Sequence, residues 1–104
     1  MKITVATMIF LSTLIITPAF ASDGPDIYKS KCAMCHGADG AGDTPAGKAL
    51  KAKSLKEADA MKATDVDLIA IVKNGKGKMP AYSGKLADDD IKSTIAYIRL
   101  LQKK

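Results

Sequence analysis

Cys32-Ala33-Met34-Cys35-His36 is the stretch on which the reading of this chain turns. Its spacing, C-x-x-C-H, is an attachment signature for c-type haem. Two thiols about one helical turn apart can each add to a vinyl group of the porphyrin. The adjacent imidazole is then held beneath the iron as its proximal ligand. Three other chemistries use similar residues. A thioredoxin-like C-x-x-C needs a neighbouring βαβ pattern, and no strand signal occurs anywhere in the chain. A structural zinc site wants four protein ligands, whereas the sequence holds two cysteines and one histidine. A plain disulfide would leave His36 without a purpose.

Outward from the motif the chain reads as helices separated by long loops. Asp26-Ile27-Tyr28-Lys29-Ser30-Lys31-Cys32 forms a short helix running into the cysteines, with Pro25 in its first turn, where proline is tolerated. From Gly37 to Ala63 glycine and proline punctuation predicts a loop, with a weak helical turn around Ser54 to Met61. Thr64 caps the next helix, and Asp67 stands three residues on in a variant of the capping box. Val66, Leu68, Ile69, Ile71 and Val72 give that helix its apolar content, and Asn74-Gly75 ends it. Lys76 to Lys85 is irregular. The last helix starts near Asp88-Asp89-Asp90, whose charges suit a positive helix end. Its apolar stripe is Ile91, Ile95, Ile98 and Leu101, and Arg99, Lys103 and Lys104 suit the negative end. The expected fold is all-α, three to four short helices with long loops wrapped around one haem. Long loops in so small a domain point to something functional filling the middle.

The N-terminus reads as an export signal. Lys2 precedes an uncharged, mostly apolar run from Ile3 to Ile16, Pro18 breaks it, and Ala19-Phe20-Ala21 has the small-x-small form of a cleavage site. Residues 1–21 are therefore expected to be a cleaved signal peptide, and residues 22–104 a single domain in the periplasm or another exported location. An uncleaved membrane anchor is the rival, because the run approaches the length that spans a bilayer. The chain has 104 residues and a formal charge of +5, and a domain that short usually needs a staple or cofactor to complete its core. The lysines are scattered and aromatic rings are few, which argues against nucleic acid.

His36 is the only histidine, so bis-histidine ligation within one chain is excluded. The sixth iron ligand must be a methionine, another residue, or nothing. Met1 and Met8 leave with the signal, and Met34 is confined between the two cysteines. Met79 lies in an irregular segment that Gly75, Gly77 and Pro80 keep out of a helix, where a thioether can be presented. Met61 precedes a helix and reads as core filler. A chain folded around the haem should therefore enclose a cavity lined by Cys32, Cys35, His36 and Met79. A His/Met pair raises the potential and closes both axial positions, which suits electron transfer over oxygen chemistry.

From Gly24 to Leu101 the sequence resembles the class I c-type cytochromes of the short bacterial, single-haem kind. Gly24 and Tyr28 stand where that family has a glycine and an aromatic before the first cysteine. Asn74 to Tyr82 fits the family's Asn-Gly-x-G-x-Met-Pro-x-aromatic run, and Ala96-Tyr97-Ile98 its C-terminal triplet. The resemblance implies crossing N- and C-terminal helices and Tyr82 packed on the haem. It also implies that the Pro45 carbonyl accepts a hydrogen bond from the His36 imidazole. The chain departs from many relatives in lacking tryptophan and in having Ala87 before the last helix. Lys48 and Lys53 are candidate propionate partners by charge alone.

The cofactor expected is one haem c, held through two thioethers. The function expected is shuttling one electron between redox partners, as a monomer that is not an enzyme. Lys73, Lys76, Lys78 and Lys85 surround the Met79 segment and would steer an acidic partner surface, unless they serve only solubility. A haem peroxidase or gas sensor would need an open sixth position or a second haem. A haem subunit permanently docked on a larger oxidoreductase is the remaining alternative. Gly42-Asp43-Thr44-Pro45-Ala46-Gly47-Lys48 imitates a P-loop, but Ala49 replaces the magnesium-binding Ser or Thr and no strand precedes it.

Overall fold

The computed structural model describes residues 9, 11–13 and 23–104; the predicted signal peptide lies almost wholly outside the described residues. The first helical stretch has three consecutive pieces. These are α1 (Gly24–Ile27), a π-helical segment Tyr28–Cys32, and α2 (Ala33–His36). Then come α3 (Pro45–Ala49), α4 (Ala58–Lys62), α5 (Asp65–Asn74) and α6 (Asp88–Gln102). Among the described residues there is no β-sheet, only the isolated bridges Lys76–Met79 and Ser83–Leu86. The architecture is the all-α one that the sequence predicts. No helix among the described residues is long and apolar enough to cross a membrane.

The α1–α6 crossing organises the core. A Cβ on Gly24 would come within 2.2 Å of the Ser93 carbonyl oxygen and 2.6 Å of its carbon. Those are backbone atoms that cannot swing aside, so only glycine permits the approach. One turn on, Tyr28 is fully buried and meets Tyr97 edge to face at a centroid distance of 5.3 Å, a favoured aromatic geometry. Its hydroxyl donates to the Gly37 carbonyl at 2.7 Å. That bond ties the start of the helix to the turn that follows His36. We expect Gly24→Ala to separate the two helices and cost about 1–3 kcal/mol, as overpacking does. Chemical denaturation of the holoprotein checks this, and an unchanged midpoint would contradict the crossing.

Helix α6 buries Ile91, Thr94, Ile95, Ile98 and Leu101 along one face. Thr94 is tolerated there because its hydroxyl donates to the Asp90 carbonyl at 2.8 Å. Ala87 offers no side-chain cap, yet Asp90 reaches back to accept from the Ala87 N–H at 3.0 Å, which is half of a capping box. Helix α5 carries the complete box: Thr64 Oγ1 accepts from Asp67 N–H at 3.1 Å, and Asp67 Oδ2 accepts from Thr64 N–H at 3.4 Å. Gly75 caps its other end. Its core residues are Leu68 and Val72, whereas Val66 is 75% exposed; it faces water at the helix start instead of joining the apolar face.

Two further features depart from the sequence expectation. Helix α3 occupies part of the predicted loop. Thr44 caps it by accepting from the Gly47 N–H, and Pro45 provides the first-turn φ that a short helix needs. Arg99 does more than complement the end of α6. Its fork donates to Asp65 Oδ1 at 2.8 Å, to the Ala60 and Ala63 carbonyls and to Gln102 Oε1. Gln102 in turn donates to the Leu55 carbonyl at 2.8 Å. Together they fasten the segment from Leu55 to Asp65 onto α6.

Candidate functional site

The elements leave between them a cleft of about 840 Å³, within the range of cofactor pockets. Cys32, Cys35 and His36 line it from the first helix, and Met79, Pro80 and Tyr82 from the loop after α5. The remaining wall is largely apolar: Leu68, Ile71 and Val72 from α5, Ile95 and Ile98 from α6, and Leu50, Leu55 and Ala63 from the loops. All four residues expected around the haem thus border one cavity. Met61 does not. It is 46% exposed on α4, lies outside the cleft lining, and is not the core filler the sequence suggested.

Local folding presents the motif. Gly37 ends α2 with φ 81°, and the Gly42 N–H closes back on the His36 carbonyl at 2.7 Å. Thr44 Oγ1 donates to the Met34 carbonyl. Gly47 lies so near Cys35 that a Cβ would fall 2.1 Å from the Cys35 carbonyl oxygen. The loop after the motif is therefore clamped to the backbone of the motif itself.

His36 Nδ1 is 3.2 Å from the Lys53 carbonyl oxygen. A carbonyl can only accept, so Nδ1 carries the proton and Nε2 keeps its lone pair for a metal. Burial lowers the imidazole pKa, and the Lys53 bond opposes that in part. Pro45 stands in the first turn of α3, and the hydrogen bond on the imidazole runs to Lys53, through a backbone carbonyl that side-chain identity could not reveal. Lys53 also lines the cleft, while Lys48 does not.

Cys32 and Cys35 are free thiols, the first buried and the second partly so. Burial pushes the Cys32 thiol up to about 11, which keeps it protonated at neutral pH. Among the described residues no group of three or more His, Cys, Asp or Glu side chains could hold a metal ion unaided. An imidazole nitrogen, a thioether sulfur, two thiols and apolar walls fit a haem c, whose ring is apolar and whose iron takes soft and borderline ligands.

Tyr82 lines the cleft, and its hydroxyl donates to the Lys31 carbonyl at 3.1 Å. Burial, with smaller contributions from Cys32 and Cys35, raises its pKa. Of the lysines singled out by sequence, Lys76 and Lys78 border the cleft, joined by Lys31, Lys51 and Lys53. Lys73 is instead paired with Asp88 at 3.0 Å, and Lys85 is not part of the lining.

The chain is similar to several known proteins. Residues 19–98 match the family model described as "Cytochrome C oxidase, cbb3-type, subunit III". A cytochrome c6 of Synechococcus sp. is 36% identical over 95 residues, covering 88% of this chain and 82% of that protein. A cytochrome c6 of Leptolyngbya boryana is 40% identical over 80 residues, covering 77% of this chain and 91% of that protein. Among solved structures, the KustC0563 c-type cytochrome superposes with a TM-score of 0.71 at 28% identity, covering 78% of this chain and 99% of that one. Cytochrome c6 from the diatom Phaeodactylum tricornutum gives 0.59 at 32% identity, covering 79% and 97%. The chain belongs to the class I c-type cytochromes, as a small single-haem member. It carries one covalently attached haem c and transfers electrons. The relatives favour a shuttle over a subunit permanently docked on an oxidoreductase.

Proposed function

We propose that Cys32 and Cys35 form the two thioethers, that His36 Nε2 and Met79 Sδ are the axial ligands, and that the protein works as a monomeric exported shuttle making no bonds in any substrate. The haem supplies a one-electron ferric/ferrous couple when bound. The observation that carries this reading is the convergence of all four side chains on one apolar cleft. The chain's own part is ligation and environment. His36 is held in one tautomer by Lys53. Apolar side chains from α5 and α6 keep water from the interior. Residues 1–21 act as the leader that directs export to the periplasm or its equivalent.

Lys76 and Lys78 border the mouth of the cleft, and the chain is net basic. A partner with an acidic docking surface would meet these charges on approach, since opposite fields orient an encounter. Such steering is screened, with a Debye length of about 8 Å at physiological salt. Electron-transfer rates to such a partner should therefore fall as ionic strength rises, and Lys76→Glu with Lys78→Glu should slow association at unchanged potential. Lys103→Glu with Lys104→Glu alters net charge equally at the chain end. Equal slowing by both pairs in stopped-flow measurements would leave net charge, and not a docking face, as the cause.

A further inference from the structure

We propose that the Tyr82 hydroxyl is a latch that holds the Met79 loop shut against the helix bearing Cys32, Cys35 and His36. Tyr82 is thereby a positioning residue for the sixth ligand. The inference rests on the reading of Met79 as that ligand.

Lys76 and Met79 exchange backbone hydrogen bonds, Lys76 N–H to the Met79 carbonyl at 3.2 Å and Met79 N–H to the Lys76 carbonyl at 2.9 Å. That makes Met79 the end of a tight turn and not a free strap. Pro80 then has no N–H to donate, and Ala81 is exposed. The chain is next secured at Tyr82. Its N–H donates to the Val72 carbonyl at 2.9 Å, and its carbonyl accepts from Lys85 and Leu86, each at 3.0 Å. All of these bonds are internal to α5 and the loop, so they would survive if the whole loop swung away from the first helix. Among the described hydrogen bonds, the link from Tyr82 Oη to the Lys31 carbonyl is the one that joins the loop to that helix. Lys31 immediately precedes Cys32, in the π-helical segment whose i→i+5 register brings the Ala33 N–H to the Tyr28 carbonyl. The latch therefore closes on the backbone next to the first thioether cysteine, three residues after the ligand it serves. A phenylalanine would keep the ring against the cleft and remove only this bond.

The competition between Met79 and an external ligand at ferric iron reads the latch directly. A neutral hydrogen bond is worth a shift of roughly two- to tenfold in an equilibrium. Cyanide affinity of the ferric holoprotein should therefore rise by about that factor in Tyr82→Phe. It should remain well short of Met79→Ala, which marks the fully open limit. Thr64→Ala, which removes the α5 cap far from the loop, should lower the denaturation midpoint and leave cyanide affinity unmoved. Tyr82→Phe at the wild-type value, with Met79→Ala open, overturns the latch and leaves the ligand in place. Met79→Ala at the wild-type value overturns the ligand reading and the latch with it. Equal gains in Tyr82→Phe and Thr64→Ala would reduce the effect to general loosening and also overturn the latch.

Discussion

Replacing Cys32 and Cys35 together with alanine is expected to yield a chain that loses its haem to acid–organic extraction and most of its helix. The first effect follows from the loss of both thioethers, the second from the cleft. A cleft of about 840 Å³ lined largely by apolar side chains loses its filling with the haem, and a domain held folded by roughly 5–15 kcal/mol has little margin for a void of that size. The remaining core is a single cluster around the α1–α6 crossing. Far-ultraviolet circular dichroism beside the extraction assay checks the expectation. Wild-type helicity in the extracted variant would show that the protein core alone sustains the fold.

The second large effect is expected from Met79→Ala. The weak charge-transfer band of methionine-ligated ferric haem should vanish, the potential should drop, and carbon monoxide and cyanide should bind. A thioether favours the reduced state more than harder ligands do, so the fall in potential follows from the chemistry of the lost ligand and not from a change in the fold. Met61→Ala is the natural control. Met61 is 46% exposed and outside the cleft, so its truncation should leave band, potential and ligand binding alone at little cost in stability. Absorption spectra and ligand titrations of the two variants decide the assignment; a band lost with Met61 and kept without Met79 would reverse it.

The parts of this molecule that depend on side-chain type or helical period were legible in the sequence. The capping box of Thr64 and Asp67, the stop at Gly75 and the α6 stripe of Ile91, Ile95, Ile98 and Leu101 stand where periodicity and capping rules put them. The motif Cys32 to His36 and the irregular setting of Met79 pointed to residues that share the cleft. What escaped reading was written in backbone atoms. The carbonyl that orients His36 belongs to Lys53, and any residue there offers the same oxygen. Pro45 was named from a family pattern, and it starts α3. Arg99 looked like a helix-end charge because the carbonyls it gathers, Ala60 and Ala63, come from a segment more than thirty residues away. Lys73 looked like its neighbours Lys76 and Lys78 until the fold brought Asp88 to it. Met61 and Val66 matched apolar patterns, but a domain this short has too little interior to bury them.

One haem ligated by His36 and Met79 would cycle by single electrons. A redox titration of the purified holoprotein, followed by its absorption spectrum, tests this most directly. The expected result is one Nernstian transition of a single electron, with six-coordinate low-spin spectra at both ends and the methionine charge-transfer band in the ferric form. A five-coordinate spectrum in either state, or a titration that needs more than one centre, would contradict it.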